Sequence, residues 1–207
     1  MRYAVLTLAA VLMTTLGWGG EQSRLGFKDI YLGMPGDSLR PTLEASCQRE
    51  ISEEFSRWGK EYRASGSFRK RSPAEQLALC LGEPSIQLRG DYEKVGSINV
   101  WTSVFLTDNV VGAIQILFGR RDYDAMRAAF VEKYGPPADQ GHRVFKNKLG
   151  AQFRGEFLTW NREDGYLRLS EISDSLNVSS AYLCTKAHEE AVEKEKRSRA
   201  KRNAGGL

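Results

Sequence analysis

Leu39, Leu43, Cys47, Ile51, Phe55 and Trp58 recur at spacings of four, four, four, four and three. That period predicts an amphipathic helix with one core-facing stripe. Arg49, Glu53, Glu54 and Arg57 fill its outer side. Asp37 or Ser38 can cap it, and Pro41 is tolerated because first-turn backbone donors have no intrahelical partner. Upstream, "FKDIYLGMPG" reads as a short strand leading into a turn. A second helix starts at Ser72-Pro73-Ala74-Glu75, a capping box with proline at the first helical position, and stops at Gly82 and Pro84. A third, capped by Asp122, carries the stripe Tyr123, Met126, Phe130, Tyr134 and ends at Gly135-Pro136-Pro137. Glycine there supplies the left-handed residue after a helix, and the prolines cannot continue it.

Between and after these helices the pattern shifts toward short apolar and alternating runs. "SIQLRG", "INVWTSVFLT" and "VVGAIQILFG" read as strands, the last two joined by a tight turn at Asp108-Asn109. Gly112 inside the third suggests a bulge or a close approach. "HRVFKN", "AQFRGEFLTWN", "GYLRLSEI" and "VSSAYLCT" read as four more, with a hairpin at Asp164-Gly165. Strand runs that follow helices favour an α+β fold over a parallel α/β sheet. The predicted architecture packs helices on one face of an antiparallel sheet, in two related modules in tandem, with one continuous sheet shared by both as an open alternative. Residues 1–20 form a signal peptide, 21–120 the first module, 121–185 the second and 186–207 a charged tail.

Strand alternation then proposes a binding face. If Ile98, Val100, Val104 and Leu106 face the helices, Trp101 and Phe105 face away. If Phe153 and Phe157 face the helices, Arg154, Glu156 and Trp160 face away. With Leu167 and Leu169 inward, Tyr166 and Arg168 join them. Aromatic residues and arginine on one open sheet face match the composition enriched at protein interfaces.

Composition limits the alternatives. The chain has 207 residues, 41% of them hydrophobic, enough for a core of one ordinary domain or two small ones. Thirty basic against 26 acidic residues give a formal charge of +4, and "KEKRSRAKR" near the end holds much of the excess. The folded body is therefore close to neutral, which argues against a dedicated nucleic-acid surface. "MRYAVLTLAAVLMTTLGWGG" has the layout of a cleavable secretory signal, with an apolar run short for a membrane span. Periplasmic or secreted location is expected, without stable membrane insertion after signal removal. Cys47, Cys80 and Cys184 allow one disulfide in three pairings. Cys47–Cys80, joining two predicted helices, is the favoured pair, and three buried thiols the alternative.

The familiar chemical motifs are absent: there is no "GxSxG", "HExxH", "GxxxxGK[ST]" or "GxGxxG", and no cysteine–histidine spacing for a metal. His142 and His188 stand in polar contexts. No catalytic residue, metal or cofactor is expected. The loop "SGSFRKRS" concentrates Arg69, Lys70 and Arg71 beside Phe68, a set able to touch an anionic surface or single-stranded nucleic acid.

The segment "LGMPGDSL", a helix, "CLGEP" and a strand run resemble the signature of small exported bacterial modules. These are the outer-membrane assembly lipoprotein family (BamE, also called SmpA/OmlA) and the tandem β-lactamase inhibitory proteins. The matching positions are Gly33, Met34, Gly82 and Pro84, echoed by Gly135 and Pro137. The resemblance implies helices packed on an antiparallel sheet and a role in protein–protein binding, with the partner on the sheet face. The expected function is that of an exported, non-catalytic envelope accessory factor or enzyme inhibitor with an envelope or secreted protein as partner. The alternatives are a small-ligand-binding protein or hydrolytic enzyme with an unrecognised site, and an anionic-surface or nucleic-acid binder using the basic loop.

Overall fold

Two apolar stripes, Leu39, Leu43 and Cys47 from one helix and Tyr123, Met126, Phe130 and Tyr134 from another, share one buried cluster with the strands. The computed structural model describes residues 24–58, 72–83, 85–146, 150–173 and 175–204. The expected signal peptide and the basic residues Arg69, Lys70 and Arg71 lie outside the described residues.

A small hairpin, β1 (Gly26–Phe27) and β2 (Ile30–Tyr31), precedes α1 (Gly36–Trp58) and α2 (Pro73–Leu81). The predicted capping box is formed: Glu75 N–H donates to Ser72 Oγ at 3.3 Å, and Ser72 N–H donates to Glu75 Oε2 at 2.7 Å. Cys47 and Cys80 are disulfide-bonded, pinning α2 against α1. The "GMPG" segment enters α1 already tied to the sheet. Gly33 N–H donates to Val111 O, Val111 N–H to Met34 O and Gly36 N–H to Asn109 O.

The strands are β3 (Ser85–Leu88), β4 (Lys94–Val95), β5 (Ile98–Thr107), β6 (Val110–Gly119), β7 (Asp139–Lys146), β8 (Gln152–Arg162), β9 (Gly165–Ser170) and β10 (Val178–Cys184). They form an antiparallel sheet in the order β3-β5-β6-β10-β9-β8-β7, with β4 added beside β5. The fold is α+β, as the pattern predicts. Strands on either side of α3 (Tyr123–Tyr134) meet at the β6–β10 pair, so both sets build one continuous sheet. Asp108 and Asn109, with φ of 51° and 60°, make the β5–β6 turn. Both residues at positive φ match the tight turn favoured by right-twisted strands.

The junction after α3 is read by β8. Trp160 Nε1 donates to Gly135 O at 2.8 Å and Arg162 Nη2 to Tyr134 O at 2.6 Å, satisfying carbonyls that a helix end leaves without partners. Tyr134 Oη donates to Gly26 O at 2.7 Å, tying the N-terminal hairpin to the same corner.

The expected charged tail, helical in propensity but with little apolar stripe, is helical as α4 (Lys186–Ala204). Only its start is docked: His188 is buried, while almost all of the remainder is exposed. The docking uses the register shift between β5 and β6, which leaves Gly112 as the extra residue of a bulge. A side chain at Gly112 would crowd His188, coming within 2.9 Å of its Nδ1.

Candidate functional site: the sheet face opposite α1 and α3

The register defines the open face row by row. Trp101 pairs with Leu117, Leu117 with Ser180, Ser180 with Ser170 and Ser170 with Phe157. The next row runs Ser103, Gln115, Tyr182, Arg168 and Thr159. The third runs Phe105, Ala113, Cys184, Tyr166 and Asn161. Their alternates on β5, β6, β9 and β10, among them Val100, Ile116, Leu169 and Ala181, are buried on the helix side.

Trp101 is 53% exposed, far more than any other described aromatic residue of the buried cluster's strands. Phe105, Leu117, Tyr166, Tyr182 and Phe157 are half-buried. The Arg168 guanidinium lies over the Tyr166 ring, 5.6 Å from its centroid. The start of α4 closes one end of the face. Phe105 meets the His188 ring edge-on at 5.7 Å, Thr107 Oγ1 lies 2.7 Å from His188 Nδ1, and Tyr166 Oη donates to Glu189 at 3.3 Å.

Trp101, Phe105, Tyr166 and Arg168 therefore stand on the open face, where alternation places them. Arg154, Glu156 and Trp160 do not. Trp160 is 1% exposed and packs on Phe130 of α3, with ring centroids 6.4 Å apart. Glu156 points to the same side, where Tyr123 Oη donates to its Oε2 at 2.9 Å and Arg127 Nε lies 3.2 Å away. Arg154 pairs with His142 near the sheet edge at 3.2 Å. The predicted phase of β8 is thus shifted by one residue, which turns every side chain over.

The physical reason is local. Glu156 is affordable on the helix side because α3 brings it a hydroxyl and a guanidinium. Phe157 is affordable on the open side because Gly141, opposite it on β7, has no side chain: a Cβ there would stand 2.8 Å from the ring. Leu117 and Tyr182 belong to the face but were not marked by the sequence. β6 reads as one apolar run, so its phase is not visible, while Tyr182 could have been found from its alternation with Ala181 and Leu183.

A second polar cluster joins α3 to the sheet. Arg120 Nη2 donates to Glu171 Oε1 at 2.6 Å, and Glu156 N–H donates to Glu171 Oε2 at 2.9 Å. Burial works to raise the Glu171 pKa, but the Glu156 N–H and Arg120 together hold its carboxyl below the usual range. Burial first, then the bond to Glu156, pushes Tyr123 far above the ordinary phenol value. These groups satisfy one another, as an anchoring network requires.

Burial also raises the Cys184 thiol and the neighbouring Tyr166 and Tyr182 phenols, so all three stay neutral near pH 7. The open face holds a shallow depression of about 210 Å³ between Arg143, Phe157, Ser170, Ile172 and Ser180. That is small beside the roughly 300–1,000 Å³ of ordinary ligand pockets. Among the described residues, no group of three or more His, Cys, Asp or Glu side chains is placed to hold a metal ion. No described helix is long and apolar enough to cross a membrane.

His188 makes the α4 dock sensitive to acid. Burial pushes its imidazole below the ordinary value of 6.5. The unfolded chain therefore takes up the proton more readily than the folded one. The contribution is fully present above pH 6.5 and is lost as pH falls through the lower folded value. Thermal melts of wild type and His188→Gln between pH 8 and pH 5 check this: the wild type should lose stability relative to the variant as pH drops. Parallel curves would remove His188 from the pH response.

Compared with protein-family models, with curated proteins and with solved structures, the chain matches none of them.

Proposed function

We propose that this is an exported, non-catalytic protein that binds an envelope or secreted protein partner through the sheet face opposite α1 and α3. The observation that carries the reading is Trp101, half-exposed on a face that also presents Leu117, Tyr166, Tyr182 and Arg168. An exposed tryptophan beside Leu117, on a face that also carries half-buried tyrosines and an arginine stacked on Tyr166, has the composition of an interface hot spot. The resemblance to exported helix-plus-sheet modules, in which a sheet face binds the partner, points the same way. The Cys47–Cys80 disulfide suits an oxidising compartment, consistent with the signal-like first twenty residues.

The partner's aromatic or aliphatic groups would cover Trp101 and Leu117, while Arg168 pairs with a carboxylate at the edge. Trp101→Ala is expected to weaken capture of the partner from a periplasmic extract by about 2 kcal/mol or more, roughly thirtyfold. Its melting temperature should stay near that of wild type, because the side chain is not part of the core. Undiminished capture by a folded Trp101→Ala, Arg168→Glu double variant would exclude this face as the binding surface.

A further inference from the structure

The two ends of the main sheet differ sharply. β3 at one end has four residues, two of them buried, and packs beside α1. β7 at the other end has eight residues, six of them exposed, including Val144 at 61%. Among the described strands it pairs only with β8. A long exposed edge strand presents unpaired donors and acceptors to any chain that can align with them.

The free groups can be assigned. Glu171 N–H donates to Glu156 O, so even-numbered residues of β8 direct their backbone groups to β9 and odd-numbered ones to β7. Across the β7–β8 register, Asp139, Gly141, Arg143 and Phe145 consequently bond to β8. Gln140, His142 and Val144 direct their N–H and C=O groups outward.

We infer that β7 is a self-pairing edge: a second copy of this chain adds antiparallel to it, with Gly141 on the two-fold axis. That register sets Gln140 against His142 of the second copy and His142 against its Gln140. Both are outward-directed pairs, so four backbone hydrogen bonds form. It also sets Asp139 directly opposite Arg143 of the second copy, twice by symmetry and on the open face. Opposite charges placed across antiparallel strands attract. Moving the axis to His142 would set Asp139 against Phe145, and moving it to Arg143 would bring two like charges together.

The side chains are already arranged for this register. Phe157 covers Gly141, and the Arg143 guanidinium lies over the Phe157 ring at 5.4 Å from its centroid, on the face it shares with Asp139. At the axis, where two backbones approach most closely across a non-bonded pair, each copy offers glycine. On the helix side, exposed His142 and Val144 leave room for the incoming strand. The open faces of both copies then continue into one surface, and the axis perpendicular to the sheet keeps α1 and α3 of both copies on its other side.

Sedimentation velocity of the full chain, from micromolar to near-millimolar concentration, tests this. The wild type is expected to show a reversible monomer–dimer equilibrium. Asp139→Arg and Arg143→Asp, each turning two attractive pairs into repulsive ones, should weaken the dimer by about tenfold or more. The combined Asp139→Arg, Arg143→Asp chain should regain it. His142→Pro removes an outward donor and should leave a monomer, with circular dichroism confirming the fold. Should the proline chain fail to fold, the three charge variants decide alone. A wild type monomeric throughout overturns the inference, including one that accepts only a foreign extended peptide. So does a dimer indifferent to these variants, or one that the double swap fails to restore.

Discussion

Replacing Trp160 by alanine is expected to cost about 3–5 kcal/mol of folding stability, the range for truncating a large aromatic residue in a packed core. In a chain of this size the loss lowers the melting temperature by on the order of 10 °C. The indole is enclosed beside Phe130, and its Nε1 donates to Gly135 O, so truncation opens a cavity and strips a partner from the end of α3. Trp160→Phe separates the two effects. It keeps most of the apolar volume and forfeits the hydrogen bond, so it should cost about 1–3 kcal/mol. Denaturant unfolding followed by circular dichroism gives both values. An alanine variant that melts like wild type would place the indole at the surface and reverse the phase of β8. The contrast with Trp101→Ala is diagnostic: one tryptophan should report on stability and the other on binding.

Reduction of Cys47–Cys80 should have the other large effect. The bond closes a loop with a sequence separation of 33 residues. Restricting the unfolded chain over such a loop stabilises by roughly 3–4 kcal/mol in the chain-entropy description. Unfolding of the oxidised and reduced wild type compares the two states without removing any buried atom. The reduced protein should unfold at lower denaturant by that amount, whereas a Cys47→Ala, Cys80→Ala chain should be indifferent to reductant. The damage should begin where α2 leaves α1, because the sheet is held by its own ladders. Hydrogen exchange should therefore accelerate in Pro73–Leu81 before it does in β6 and β10. Equal stability of oxidised protein and of fully reduced, alkylated protein would show that the link restrains nothing the fold does not already hold.

How much of this was legible in the chain depends on whether a signal is local. The stripe of α3, the stop at Gly135-Pro136-Pro137 and the β5–β6 turn are short-range chemistry, and each stands where its residues place it. Trp101 and Phe105 were legible because the other phase of β5 holds Ile98, Val100, Val104 and Leu106, an aliphatic set with the stronger claim on the core. β8 was not. Its sequence holds Phe153 and Phe157 in one phase and Leu158 and Trp160 in the other, so both faces have an apolar claim. The choice was made by residues distant in sequence: Tyr123 and Arg127 supply partners for Glu156, and Gly141 admits the ring of Phe157. The docking of His188 was hidden for the same reason, since Gly112 and Thr107 lie some eighty residues upstream.

By itself, then, the sequence determined the element types, most of their ends, the α+β class and a favoured pairing of its cysteines. Periodicity, caps and turn residues act within a few positions and do not need the rest of the molecule. Tertiary structure alone decided which β8 side chains meet α3, that β6 and β10 join the strands into one sheet, and that β7 is left as a long open edge. Those outcomes depend on which strands become neighbours and which polar groups find partners across them.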